Sequence, residues 1–367
     1  MASVTTCKWG ILATGGIAVT FSKDLLLDPT SRGVKDVKHT IVAAASSTSV
    51  TRAQEFLKQV SAPRDAKAYG SYTELVQDPN IDIIYVATPH SHHYENTLLA
   101  LEAGKHVLCE KAFTINAAQA KHLFQVAKEK NLFLMEAVWV RFFPIVYEIQ
   151  NRIHQKRSLG DIKRVFSDFG MPFQPDPNHR LFNPQLGGGA LLDLGIYALT
   201  WQMLTLYEDP CNHYEKPEIT SGMIKSKLTG VDEFTTVILN FVSMGAQGIA
   251  TTNMSIQSFE KYVVLVQGTK ADLTVPWPPY RPESFTIHQK DSNGKYTGEK
   301  EQVSFDIPGH GMFWEADACA RALQKRNLEE QRVSWNYSIL LMEIMDKVRY
   351  DNNFTYPDHL EATRNHA

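Results

Sequence analysis

From Lys8 to Val138 short apolar runs alternate with stretches of helical periodicity, and this alternation restricts the possible folds more than any other feature of the chain. Residues 8–14 (KWGILAT) read as a strand that runs into Gly15-Gly16, and residues 17–27 as the helix that follows. The pattern repeats at 40–46 and 51–60, at 68–69 and 72–77, and at 82–88 and 93–103, where Gly104 is placed to end the helix. It repeats again at 105–110 and 117–130 and closes with a strand at 132–138. Residues 82–88 (DIIYVAT) are apolar almost throughout, as a strand covered on both faces must be. Strands spaced by helices form βαβ units, so a doubly wound parallel sheet is expected.

The second half reads differently. A strand at 165–170 leads into a loop with Pro172, Pro175, Pro177 and Pro184, and a helix is expected over 189–206. β-like runs then follow one another at 221–228, 234–241, 247–254, 262–267 and 285–289 with few helices between them, which suggests a largely antiparallel sheet. Such a sheet needs one face covered, by helices or by a partner. Helices at 313–324 and 338–350 close the chain. At about 100–200 residues per domain, 367 residues allow two or three. The expected division is a nucleotide-binding Rossmann domain over 1–138 and an α+β domain over 139–367, whose last helix packs back on the first.

Apolar residues at 43% and charged residues at 21% supply a substantial core. A net charge of -3 argues against a duplex nucleic-acid partner, which would require a cation excess. Cys7, Cys109, Cys211 and Cys319 form no C-x-x-C pair, so neither a disulfide scaffold nor a thiolate zinc site is expected. Sparse cysteine suits a reducing compartment. No apolar run of membrane-spanning length exists, and residues 1–8 carry no secretory pattern, so a cytoplasmic protein without a membrane partner is expected.

Several positions carry chemistry. Residues 10–18 (GILATGGIA) join the first strand to the first helix, where Thr14, Gly15, Gly16 and Ile17 would let backbone N–H groups approach a pyrophosphate. Ala13 stands where the G-x-G-x-x-G/A pattern has its first glycine. An NAD enzyme should end its second strand in a carboxylate that holds the ribose 2′-OH. Here the strand ends in Ser46 and Ser47 with Arg52 nearby, which suits a 2′-phosphate and hence NADP. The fourth strand enters Thr88-Pro89-His90-Ser91-His92-His93 at its carboxyl end, the edge where ligands bind in open α/β sheets. No neighbouring ligand set turns these histidines into a metal site. The fifth strand ends in Glu110-Lys111, and Lys111 could be a surface group, a phosphate contact or a catalytic cation. In residues 187–197 (GGGALLDLGIY) a helix would set Asp193 and Tyr197 on one face, either for chemistry or as a packed core tyrosine.

Together these segments, with residues 136–142 (EAVWVRF), resemble the Gfo/Idh/MocA oxidoreductases over nearly the whole chain. Within that family the chain is most similar to the dimeric dihydrodiol dehydrogenases and the fungal NADP-dependent D-xylose 1-dehydrogenases. Both groups carry tyrosine where many relatives have histidine. Ala112 departs from the family's Glu-Lys-Pro, and Lys111 is retained.

The resemblance implies hydride transfer from a carbinol carbon, C1 of an aldose or a carbon of a trans-dihydrodiol, to a nicotinamide. It places Thr14–Ile17, Ser46, Ser47, Arg52, Thr88, Pro89, His90, His92, Glu110 and Lys111 at NADP, and Trp139, Arg141, Asp193 and Tyr197 at the substrate. The departing hydroxyl proton requires a base. Free tyrosine titrates at about 10, and an ammonium such as Lys111 would favour its phenolate. Tyr197 is therefore the expected base, Lys111 its tuning cation or itself the base, and Asp193 the orienting group. A homodimer is expected by the same analogy. A non-enzymatic NADP-binding sugar regulator is the rival class, but it has no need of a lysine, a tyrosine and an aspartate arranged for proton transfer.

Overall fold

The computed structural model describes residues 4–364. The chain divides into two compact units. The first comprises the described residues up to Arg141, Ile307–Met342 and those from Asp358 on; the second comprises Phe142–Asp306 and Glu343–Pro357.

The first unit holds β1 (Thr5–Leu12), α1 (Gly16–Leu25), β2 (Val37–Ala45), α2 (Val50–Gln59), β3 (Lys67–Tyr69), α3 (Tyr72–Val76), β4 (Ile83–Val86), α4 (His93–Glu102), β5 (His106–Glu110), α5 (Ala117–Glu129) and β6 (Leu134–Ala137). All pairings are parallel and the strand order is 3-2-1-4-5-6, the doubly wound arrangement expected. Every residue of β4 and of β6 is buried, which explains the uninterrupted apolar run of β4; β6 also buries Glu136. Trp9, Phe21 and Tyr85 are fully buried, with the last two rings stacked at 3.8 Å. Burial of side chains this large contributes about 1.5–3 kcal/mol each.

In the second unit α6 (Pro144–Gln150) precedes β7 (Ile162–Gly170), and α7 (Ile196–Gln202) precedes β8 (Glu218–Lys225), β9 (Asp232–Phe241), β10 (Ala246–Asn253), β11 (Val264–Gly268), β12 (Ala271–Val275), β13 (Ser284–Lys290) and β14 (Tyr296–Ser304). The eight strands run in the order 14-13-12-11-7-10-9-8. Only the β7–β10 pair is parallel. α7 lies across β7 and β10 and covers one face. Two buried bonds set its position there: Ser167 Oγ donates to the Ala198 carbonyl at 2.8 Å, and Gln202 Nε2 donates to Ser167 Oγ at 2.6 Å.

α8 (Phe313–Gln324) packs on α1 and β2 within the first unit. α9 (Trp335–Asp351) follows, and α10 (Asp358–Glu361) sits at the start of α5, where Gln119 Nε2 donates to the carbonyls of Leu360 and Ala362.

Three features differ from the sequence expectation. The helix expected over 189–206 is α7 flanked by π-helical turns at Leu191–Gly195 and Met203–Tyr207, a distinction that apolar spacing does not encode. β8 begins and ends three residues earlier than expected, because it is an edge strand whose exposed side chains carry little apolar signal. β12 and β14 were not anticipated, and β14 is exposed along most of its length as the opposite edge.

Candidate active site

β1 and β4 are neighbours in the sheet although β2 and β3 intervene in sequence, so the crevice outside their carboxyl ends is the topological switch point. α1 starts there. Its N-cap, Gly15, supplies no side-chain cap, which leaves first-turn N–H groups for a ligand. A β-carbon built on Gly15 or Gly16 would meet nothing within 4 Å, so the backbone borders open space. Thr14 is half-buried and Ile17 is exposed beside it. Ala13 N–H bonds the Ala45 carbonyl at 3.1 Å and its φ is +86°, the conformation for which the pattern normally uses glycine.

At the end of β2, Ser46 Oγ lies 3.0 Å from Thr48 Oγ1, which accepts from Arg52 Nη1 at 3.4 Å. Ser49 caps α2 by accepting the Arg52 N–H, while Ser47 and Arg52 are exposed. An uncapped helix N-terminus beside a cluster of hydroxyls and a guanidinium fits a dinucleotide with anionic groups at both places.

Thr88 and Pro89 are half-buried, His90 is buried and His92 is exposed. His93 is fully buried, with its ring nitrogens 2.8 Å from the carbonyls of Thr88 and Ala112. Burial pushes its pKa down to about 4, so at neutral pH the uncharged ring donates to one of the two. His93 thus ties the loop after β4 to the loop after β5. Glu110 is buried and accepts from Tyr85 Oη–H and from the Lys111 N–H; Lys111 is half-buried.

Trp139 is almost fully buried and stacks on His310 at 5.0 Å. Arg141 is 2% exposed. Its Nε donates to the Arg332 carbonyl at 2.6 Å, Arg332 Nε returns a bond to the Arg141 carbonyl, and its guanidinium lies over the Tyr337 ring.

Asp193 and Tyr197 belong to the second unit, whereas the other expected site residues belong to the first. Asp193 sits in the π-helical turn and Tyr197 in α7, and both are buried. Arg180 grips Asp193 with both terminal nitrogens, at 3.0 and 3.2 Å. Tyr197 lies among aromatic rings, 5.7 Å from Phe169 and 5.8 Å from Tyr280. The buried Asp232 caps the helical segment by accepting the Leu191 N–H at 2.6 Å, and burial raises its pKa to about 6. Gly189 is required opposite it, because its φ is +126° and a β-carbon there would lie 2.0 Å from Asp232 Oδ1. Sequence reasoning missed His93, Arg180 and Asp232. The histidine stood inside a motif already noted, whereas nothing local marks Asp232 as the partner of a glycine more than forty positions earlier.

Residues 12–138 match the oxidoreductase family with an NAD-binding Rossmann fold, and residues 149–274 match the GFO/IDH/MocA C-terminal domain. A D-xylose 1-dehydrogenase (NADP(+)) from Hypocrea jecorina is 47% identical, with 96% of this chain and 94% of that protein aligned. The chain belongs to the Gfo/Idh/MocA oxidoreductase family. A trans-1,2-dihydrobenzene-1,2-diol dehydrogenase from Xenopus laevis is 35% identical over 95% of this chain and 99% of its own length. Among solved structures, a levoglucosan dehydrogenase superposes with a TM-score of 0.81 at 18% identity, covering 95% of this chain and 98% of the other. A 3-ketoreductase from Actinomadura kijaniata superposes at 0.78 with 23% identity, covering 94% and 98%. Those two likenesses establish the family's fold.

Proposed function

We propose that this oxidoreductase uses NADP to oxidise the C1 hydroxyl of D-xylose or a related aldose to the lactone. The observation that carries this reading is the 47% identity, spread over nearly the whole chain, to an NADP-dependent D-xylose 1-dehydrogenase. Oxidation of trans-dihydrodiols is the second reading, favoured by the 35% identity to a dihydrodiol dehydrogenase. The test is a screen of NADP reduction at about 340 nm (nicotinamide absorbance) across pentoses, hexoses and dihydrodiols, in which D-xylose is expected to lead.

Thr14, Gly15, Gly16 and Ile17 would hold the pyrophosphate, and Ser46, Ser47 and Arg52 the 2′-phosphate. Thr88, Pro89, His90, His92, Glu110 and Lys111 would line the rest of the NADP site. The bound nicotinamide supplies the two-electron redox chemistry. Tyr197 takes the hydroxyl proton, Lys111 supplies the positive charge that favours a phenolate, and Asp193 orients the tyrosine or a substrate hydroxyl. Trp139 and Arg141 stand with the substrate in this reading.

A homodimer is part of the proposal. Across the sheet face opposite α7, Leu265, Phe166, Ile249 and Ile238 stand side by side in register on β11, β7, β10 and β9, all half-exposed. A second copy of the same face would bury this apolar row by two-fold pairing. A cytoplasmic setting is supported by four free cysteines, three of them buried.

A further inference from the structure

Arg141 is buried, with its guanidinium laid on Tyr337 and bonded to the Arg332 carbonyl, whereas the Arg180 side chain is 48% exposed beside an Asp193 side chain that is 8% exposed. We propose that Arg180 is the cation that binds the substrate's vicinal hydroxyls, with Asp193 as its fixed partner. The inference rests on the sugar or diol oxidation proposed above and names the group that recognises the diol.

Two kinds of contact hold Arg180 in place. Its Nη1 and Nη2 meet the two oxygens of Asp193, a fork-on-fork geometry that defines the plane of the guanidinium. Its backbone rests on the glycine run that starts the helical segment. A β-carbon at Gly188 would lie 2.7 Å from the carbonyl oxygens of both Arg180 and Leu181, and Gly189 N–H donates to the Leu181 carbonyl at 2.8 Å. Residue 180 is therefore seated on the segment that carries Asp193 and, four positions later, Tyr197. A guanidinium beside a carboxylate presents donors and acceptors in one plane. Adjacent hydroxyls, each both donor and acceptor, match that arrangement. Within the GGG run Gly188 admits this close approach, while Gly187 and Gly189 are held to glycine by positive φ.

The experiment compares Arg180→Gln and Arg180→Lys with wild type, using D-xylose and its monodeoxy analogues as substrates and titrating NADP separately. Wild type is expected to discriminate against at least one analogue by about 10–100-fold in kcat/KM, the range for a lost bond to a charged group. Arg180→Gln should raise the KM for D-xylose while leaving the Kd for NADP unchanged, and should flatten that discrimination to about 2-fold. Arg180→Lys, which keeps the charge but not the fork, should fall between and also covers the case in which the glutamine variant does not fold. If Arg180→Gln lowers turnover of every substrate equally, the arginine merely supports Asp193 and the inference is overturned. It is equally overturned by unchanged KM values. A wild type that turns over D-xylose but shows no analogue discrimination overturns the inference alone, whereas a wild type inactive on every aldose and dihydrodiol overturns the parent proposal with it.

Discussion

In the six-stranded sheet every strand is parallel, and the central β4 and its neighbour β5 are buried almost throughout. In the eight-stranded sheet only β7 and β10 run parallel, and α7 covers a single face. The difference bears on where each unit would keep its part of the proposed chemistry. A parallel sheet aligns all its carboxyl ends at one edge, so Gly15, Ser46, Thr88 and Lys111 gather there by topology. An antiparallel sheet has no such edge, and the side chains proposed for proton transfer, Asp193 and Tyr197, come from the helical segment laid across it. The face opposite α7 is the one assigned above to the proposed homodimer.

The largest effect that would test this division is expected at Tyr197. Tyr197→Phe should lower kcat by about 10²–10⁴-fold with the Kd for NADP preserved, measured by initial rates and by cofactor fluorescence titration. Near-wild-type turnover in a folded variant would remove the second sheet from the chemistry and leave Lys111 as the base. Next comes the open face. Phe166→Glu puts a charge in the centre of the apolar row and should shift a dimer to monomers in sedimentation equilibrium, a loss of about 2–4 kcal/mol if Phe166 anchors the interface. A wild type that is monomeric at every concentration would deny that face its partner.

In the parallel sheet, Arg52→Ala should weaken NADP more than NAD by about 1.5–3 kcal/mol, read from kcat/KM for each cofactor. Equal losses would show that Arg52 does not read the 2′-phosphate. Glu136 in β6 offers a pH test. Its carboxylate accepts the Phe113 N–H at 2.9 Å and the Ser338 hydroxyl at 2.6 Å, and burial still raises its pKa to about 7. The folded state therefore holds this proton more tightly than the unfolded chain does. The stability it confers is fully present below the unfolded value of about 4.3 and is lost as pH rises towards 7. Glu136→Gln can accept the Phe113 N–H at its carbonyl and donate its amide to Ser338 Oγ, and should flatten the slope of urea-unfolding stability between pH 5 and 8 and stabilise the protein at pH 8 by about 1–3 kcal/mol. The smallest effect is expected at Ala13, where Ala13→Gly relieves a φ of +86°. A gain of about 1 kcal/mol in the same assay is expected, offset in part by the added freedom of the unfolded chain.

The order of elements in the first unit was legible because each buried parallel strand is an apolar run and each glycine turn is local. The positions of Thr14–Ile17, Ser46 and Lys111 follow from that order alone. Of the two edge strands, β14 was not legible and β8 was read three residues late, since an exposed edge places no demand on side-chain polarity. The rings around Tyr197 are Phe169, from β7, and Tyr280, from the loop after β12, which no local pattern near residue 197 could indicate. By itself the sequence determined the two sheets, the glycine turn after β1 and the residue types available for proton transfer. Only the tertiary structure decided that Arg141 is enclosed while Arg180 grips Asp193, that Asp232 caps the helical segment bearing Asp193 and Tyr197, and that His93 joins two loops. Those pairings connect residues up to 191 positions apart, and such contacts come from chain crossings that no local period or spacing records.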